Sequence, residues 1–153
     1  MRRICRLSPD SKLKHATEMR RILLLVPLLA ACSQEAAQPS LATGTFAGEG
    51  RDRLCIAGES GAYRGGLIVY GAGDENCSAA GRLEQSGTGW TLIPKGEGDC
   101  RIPIQIDRNA VRIGQPPAAC SYYCGPGASL AGKSYNRSDM GAKAVDFAGD
   151  PLC

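Results

Sequence analysis

Six cysteines, Cys55, Cys77, Cys100, Cys120, Cys124 and Cys153, lie in the C-terminal two thirds of this 153-residue chain. All of the chain's 20 glycines lie from Gly44 onward, and the whole chain has only two phenylalanines and one tryptophan. A domain with so little aromatic mass gains much from cross-links. In an oxidising compartment an even set of cysteines is expected to pair, here as three disulfides of about 2–4 kcal/mol each. Six cysteines allow 15 connectivities, and sequence does not select among them. Pairing in chain order, Cys55 with Cys77, Cys100 with Cys120 and Cys124 with Cys153, is the simplest expectation.

The compartment is read from the N-terminal part. Arg20-Arg21 is followed by an apolar run at residues 22–31, broken only by Pro27, and then by the small residues Ala30-Ala31 before Cys32. Basic, apolar and small segments in that order are the anatomy of a signal peptide. The apolar run is half the roughly 20 residues needed to cross a bilayer, which argues against a permanent span. Met19 directly precedes the arginines, so translation is expected to start there, with Met1 to Glu18 upstream of the true leader.

Leu29-Ala30-Ala31-Cys32 closely resembles the lipobox of bacterial lipoproteins. That resemblance implies diacylglycerol attachment to Cys32, cleavage just before it and acylated (palmitate-type) anchoring. With about 0.8 kcal/mol per buried methylene, two or three acyl chains make such an anchor effectively permanent. Ser33, rather than Asp, after the cysteine would, by the rule for such lipoproteins, permit transfer to the outer membrane, facing the periplasm. The expected organisation is therefore a leader over 1–31, a lipidated N-terminus and tether over 32–42, and one disulfide-rich domain over 43–153. The tether sequence SQEAAQPSL is too polar to join a core.

Seven of the 18 basic residues and two of the 15 acidic ones precede Ile22, so the part after the leader has 11 and 13 and a net charge near −2. That is not the footprint of a nucleic-acid binder.

Short apolar runs separated by glycine-rich turns predict β-structure. The clearest strand is 101–107, where Ile102, Ile104 and Ile106 share one face. Pro103 cannot donate to a ladder, which predicts an edge strand or a bulge. Val111 and Ile113 continue the alternation after Arg108-Asn109, predicting a hairpin. Further strands are expected at 44–48, 54–57, 67–70, 81–85 and 90–93. Ser138, Gly149 and Pro151 frame an expected short helix at 139–148, burying Met140, Ala144 and Phe147. The expected fold is mainly β: a small, twisted antiparallel sheet or barrel with a short C-terminal helix, stabilised by disulfides.

The lone histidine, His15, lies upstream of the lipobox. The mature protein then has no imidazole for a Ser-His or Cys-His nucleophile or for a histidine metal site. Cys120-Ser121-Tyr122-Tyr123-Cys124 has tolerable zinc-ligand spacing, but the compartment favours disulfides, and its three intervening residues depart from the redox Cys-x-x-Cys. Glu49 with Asp52, or Asp74 with Glu75, could act on a glycan as paired carboxylates, although acids in such loops commonly serve as solvated turn residues. Gly127 through Gly132-Lys133-Ser134 fits the spacing of a phosphate loop without the buried strand that should precede it. No catalytic residue, metal or cofactor is assigned, and nucleotide binding is not expected.

Ser60-Gly61-Ala62-Tyr63 is similar to the Ser-Gly-x-x-Tyr loop of the membrane-bound inhibitors of c-type lysozyme. Trp90-Thr91-Leu92-Ile93-Pro94-Lys95-Gly96 is similar to their second motif, which ends in Lys-Gly. The resemblance implies a small β-barrel in which Ser60 and Lys95 contact the lysozyme and Tyr63 supports the loop. The two motifs are farther apart here than in that family. The sequence thus favours a non-enzymatic envelope lipoprotein that binds a protein or cell-wall partner through loops and tyrosines such as Tyr122 and Tyr123. Lysozyme inhibition and a histidine-free carboxylate hydrolase are the alternatives.

Overall fold

In the computed structural model the described residues are 41–96, 98–138 and 143–153. The expectations placed on Met19, Cys32, Ser33 and Met140 lie outside them.

Eight strands follow one another as a meander: β1 Gly44–Ala47, β2 Arg53–Ala57, β3 Arg64–Tyr70, β4 Asn76–Ser86, β5 Gly89–Pro94, β6 Ile102–Ile106, β7 Ala110–Ile113 and β8 Ser134–Arg137. Each pairs antiparallel with the next, and β8 pairs back onto β1 through Phe46↔Arg137 and Ala47↔Asn136, which closes a barrel. Closure removes the unpaired edges that an open sheet would present.

Period-2 alternation decides what fills the barrel. Leu54 and Ile56 of β2, Leu67 and Val69 of β3, Ile102 and Ile104 of β6, and Val111 and Ile113 of β7 point inward with Phe46 and Tyr135. At eight strands the interior is just wide enough for side chains to fill. Here they do so: Phe46, Leu67, Val69, Leu92, Ile102 and Tyr135 are fully buried.

The seven expected strands are present, and β8 is an eighth that the sequence reading did not identify. Short turns join β4 to β5 and β6 to β7. Gly87 takes φ +60° in the first, as two-residue hairpins require. In the second, Asp107 and Ala110 exchange both backbone bonds across Arg108-Asn109. Pro103 is not on an edge. Its carbonyl accepts from Gly114 N–H (2.9 Å), just past the end of β7, so its missing donor faces a point where the ladder has already stopped.

The C-terminal helix is corrected over the described part of its range. Ser138 N–H donates to Thr45 O and so extends the β8–β1 seam instead of capping a helix. Residues 143–153 form a strap turned back on itself, with Val145 bridged to Pro151. Asp146 Oδ1 accepts from Ala148 and Asp150 N–H, an Asx-type turn that competes with helix. Ala144 is buried, whereas Phe147 is 68% exposed. The helical turn present elsewhere is a 3-10 helix at Ala118–Tyr123.

All six cysteines of the domain are bridged: Cys55–Cys153, Cys77–Cys124 and Cys100–Cys120. Two of the three chain-order pairs are therefore corrected. Cys77 points into the barrel core, whereas Cys55 lies in the outer cluster with Ile68, Ala144 and Leu152, so strand alternation puts the two thiols on opposite faces of one sheet. The strap lies on that outer face because Gly66 offers no Cβ where Leu152 crosses it.

Candidate functional site

In an up-and-down meander successive connections alternate between the two barrel ends. Loops 58–63, 87–88 and 107–109 and the start of β1 share one end; loops 48–52, 71–75, 95–101 and 114–133 share the other.

The first end is where the chain enters. Leu41 N–H donates to Tyr63 Oη (3.0 Å). Tyr63, 7% exposed, meets Trp90 edge-on at 5.6 Å and 86°. Ser60 stands exposed on the same loop as Tyr63. Trp90 is half-buried and seals the core together with Leu41 and Ile106. Three hollows adjoin it, of about 190, 300 and 620 Å³.

Lys95 lies at the other end. It follows β5, its backbone N–H donates to Ala80 O (2.9 Å), and its carbonyl accepts from Tyr123 Oη (3.1 Å). Three strands separate the Ser60 loop from Lys95, and an odd number puts them at opposite ends. Ser60 and Tyr63 are therefore brought together, and Lys95 is not.

The far end is dominated by the β7–β8 connection, residues 114–133. Its 3-10 helix is held by Cys100–Cys120 and Cys77–Cys124, which assign Cys120 and Cys124 to different partners rather than to one metal. Tyr122 is 84% exposed and meets Tyr123 edge-on at 5.4 Å, while Tyr123 is half-buried. A groove of about 520 Å³ runs along this loop, lined in part by Pro116, Pro117, Pro126 and Leu130. Residues 115–132 contain no charged side chain. That run was legible in the sequence and is the signal that could have drawn attention to the loop.

Of the candidate acids, Asp52 is buried in an ion pair, whereas Glu49, Asp74 and Glu75 stand exposed. Asp52 is 3% exposed; its Oδ1 accepts from Tyr70 N–H (2.8 Å) and its Oδ2 pairs with Lys133 Nζ (3.2 Å). Glu49 is exposed, and its backbone carbonyl accepts from Asp52 N–H in the β1–β2 turn. Asp74 pairs on the surface with Arg51 (3.5 Å), whose guanidinium stacks over Tyr70. Beside Asp52, the Tyr135 hydroxyl is buried without a hydrogen-bond partner among the described residues. Burial, seconded by the Asp52 charge, pushes its pKa well above the usual tyrosine range. Lys133 is thus committed to Asp52, and Ser134 opens a strand rather than a helix, so the Gly-Lys-Ser segment does not build a phosphate-binding helix N-terminus.

Comparisons with protein-family models, with curated proteins and with solved structures give no match.

Proposed function

We propose that this chain is a lipid-anchored, non-enzymatic binding module of the bacterial cell envelope, and that it meets an envelope protein through its far end. The sequence order before Cys32 supports export and acylation. The observation that carries the binding reading is the placement of Tyr122: an exposed tyrosine on an uncharged loop stapled by two disulfides. Interface cores are depleted in charge and enriched in tyrosine, and a pre-ordered loop loses little entropy on association. The chain enters at the opposite end, where Leu41 meets Tyr63. Nine residues from Ser33 to Leu41 span at most about 30 Å, so a membrane anchor at Cys32 favours presenting the Tyr122 end away from the bilayer.

The test is in-vivo photocrosslinking of the full-length protein from position 122, with position 88 at the entry end as control. Mass spectrometry of the N-terminal peptide accompanies it. The expected result is an acylated Cys32 and one reproducible envelope protein crosslinked from 122 and not from 88. An unmodified Cys32 overturns the anchor; absent or position-independent crosslinks overturn the far-end interface. The same protein assayed against a c-type lysozyme tests the resemblance of the Ser60 loop, which predicts inhibition lost in Ser60→Ala and Lys95→Ala. Glycan turnover lost on acid-to-amide substitution would instead favour a carboxylate hydrolase.

A further inference from the structure

The polar and aromatic groups around Trp90 form an arrangement that the far-end interface does not use. The three hollows are neighbours with shared walls. Trp90 lines all three, Gln85 lines two, and Thr88, Ile106 and Asp107 line two. They therefore make one track over the barrel mouth and onto the outer face of β5 to β8, where Thr91, Gln105, Arg112, Ser134 and Asn136 continue it. The larger hollows fall in the range of small-molecule sites, roughly 300–1,000 Å³.

We propose that this track binds an oligosaccharide, with the Trp90 indole as the platform for one sugar ring. A pyranose has an apolar face of C–H groups and a rim of hydroxyls, each both donor and acceptor. A half-buried indole offers a large apolar body to the first. Carboxamides and hydroxyls, which likewise donate and accept, match the second, and the track supplies Gln85, Gln105, Asn136, Thr88, Thr91 and Ser134 for it. The platform is pre-set: Tyr63 packs edge-on against Trp90 and is itself tied by Leu41 N–H, so little ordering remains to be done on binding. Other ligand classes fit less well. A lipid needs a hollow barrel, and this interior is filled by Leu92, Ile102 and Val111. A polyanion needs a one-sided field, whereas Asp107 stands beside Arg108 in the track, and Glu84, which also lines it, pairs with Arg82. The continuity of the hollows favours a chain of several rings over a single sugar.

Peptidoglycan strands and surface polysaccharides share this chemistry, and the amide substituents of the former distinguish them. This site depends neither on Cys32 acylation nor on the Tyr122 interface, so its failure would leave that reading standing, and the reverse. Trp90 is the chain's single tryptophan, so its emission reports on this site alone. The experiment titrates the disulfide-intact protein with an N-acetylglucosamine tetramer and with a glucose tetramer. The expected result is a saturable emission change with at least one of them. By calorimetry, Trp90→Ala is expected to weaken binding at least about tenfold, equivalent to about 1.4 kcal/mol. Gln105→Ala and Asn136→Ala, at exposed positions outside the core, are expected to weaken binding severalfold with an unchanged urea midpoint. Preference for the acetylated tetramer assigns the site to peptidoglycan, and preference for the glucose tetramer to a surface polysaccharide. No saturable change with either tetramer up to about 10 mM, or binding indifferent to all three substitutions, overturns the proposal.

Discussion

The three bridges are nested, and the nesting sets what the outermost one is worth. Cys100–Cys120 closes a separation of 20 residues, lies inside Cys77–Cys124 at 47, and both lie inside Cys55–Cys153 at 98. Taken alone, a loop as long as the outermost would restrict the unfolded chain by about 4.7 kcal/mol. With the inner bridges intact, however, the path from Cys55 to Cys153 shortens to roughly 50 residues, and the chain-entropy contribution falls to about 4.1 kcal/mol. The same reasoning shortens the path between Cys77 and Cys124 to roughly 27 residues and gives about 3.5 kcal/mol, with about 3.3 for Cys100–Cys120. Replacing Cys55 and Cys153 together by alanine is therefore expected to remove about 4 kcal/mol, a large share of the 5–15 kcal/mol typical of a domain. Urea unfolding of the oxidised protein measures it. The m-value should rise as well, because the freed chain exposes more surface when it unfolds. A loss below about 1 kcal/mol with an unchanged m-value would refute the nested-loop reasoning, and a peptide map joining Cys55 to Cys77 would refute the connectivity on which it rests.

Lys133→Met leaves the buried Asp52 carboxylate with Tyr70 N–H as its one remaining partner among the described residues, and is expected to cost about 2–3 kcal/mol, below the usual figure for a buried pair because the lysine is 28% exposed. Adding Asp52→Asn, which still accepts from Tyr70, should recover part of that loss; a double-mutant coupling below about 0.5 kcal/mol would show the pair to be incidental. Tyr135→Phe deletes a buried hydroxyl that has no hydrogen-bond partner among the described residues and is expected to be neutral or stabilising by up to about 2 kcal/mol at pH 7. Because the folded barrel holds this tyrosine protonated while the unfolded chain ionises it near pH 10, the unfolded state binds fewer protons above that pH. Stability from this group is thus complete below about pH 10 and is lost as pH rises further, so the gap between the Tm curves of Tyr135→Phe and wild type should widen there; parallel curves would contradict the burial. Gly66→Ala sets a methyl group against the Leu152 backbone and must lift the strap, an expected loss of about 1–3 kcal/mol in urea unfolding; an unchanged midpoint would mean that the strap does not lie on β3.

What the sequence revealed about the fold came from alternation, and what it concealed came from places where alternation is masked. Ile102, Ile104 and Ile106 announced β6 because Pro103 and Gln105 set them two apart. Ser134–Arg137 offers one large apolar residue, Tyr135, among polar neighbours, and four residues are too few to show a period, so β8 went unread. The disulfide partners of Cys55 were equally hidden: Leu54, Cys55 and Ile56 are all apolar and all buried, because the strap covers the outer face just as the core fills the inner one. At the site, Tyr63 and Trp90 are 27 positions apart, and only the shear of β4 between β3 and β5 brings them into contact. The Asp52–Lys133 pair spans 81 positions and required the barrel to close before it existed. The N-terminal elements of the reading, Cys32 above all, rest on the sequence alone.

The unequal connections at the two ends are what sets the proposed interface at the far end apart from the rest of the barrel. A meander needs only two to five residues to turn one strand into the next, and β4–β5 and β6–β7 use two and three. The β7–β8 connection uses residues 114–133, and a loop of that length inside a compact domain is uncommon without a function of its own. Ordering so many residues opposes folding by roughly 1 kcal/mol or more for each, and the loop brings few large apolar side chains to offset it, Leu130 being its buried anchor. Two of the three disulfides end in it. Cross-links placed where the core contributes least stabilise a shape that hydrophobic burial alone would not select. On the proposed reading, such a fixed shape on the exposed, uncharged run 115–132 would let association proceed without a second ordering cost.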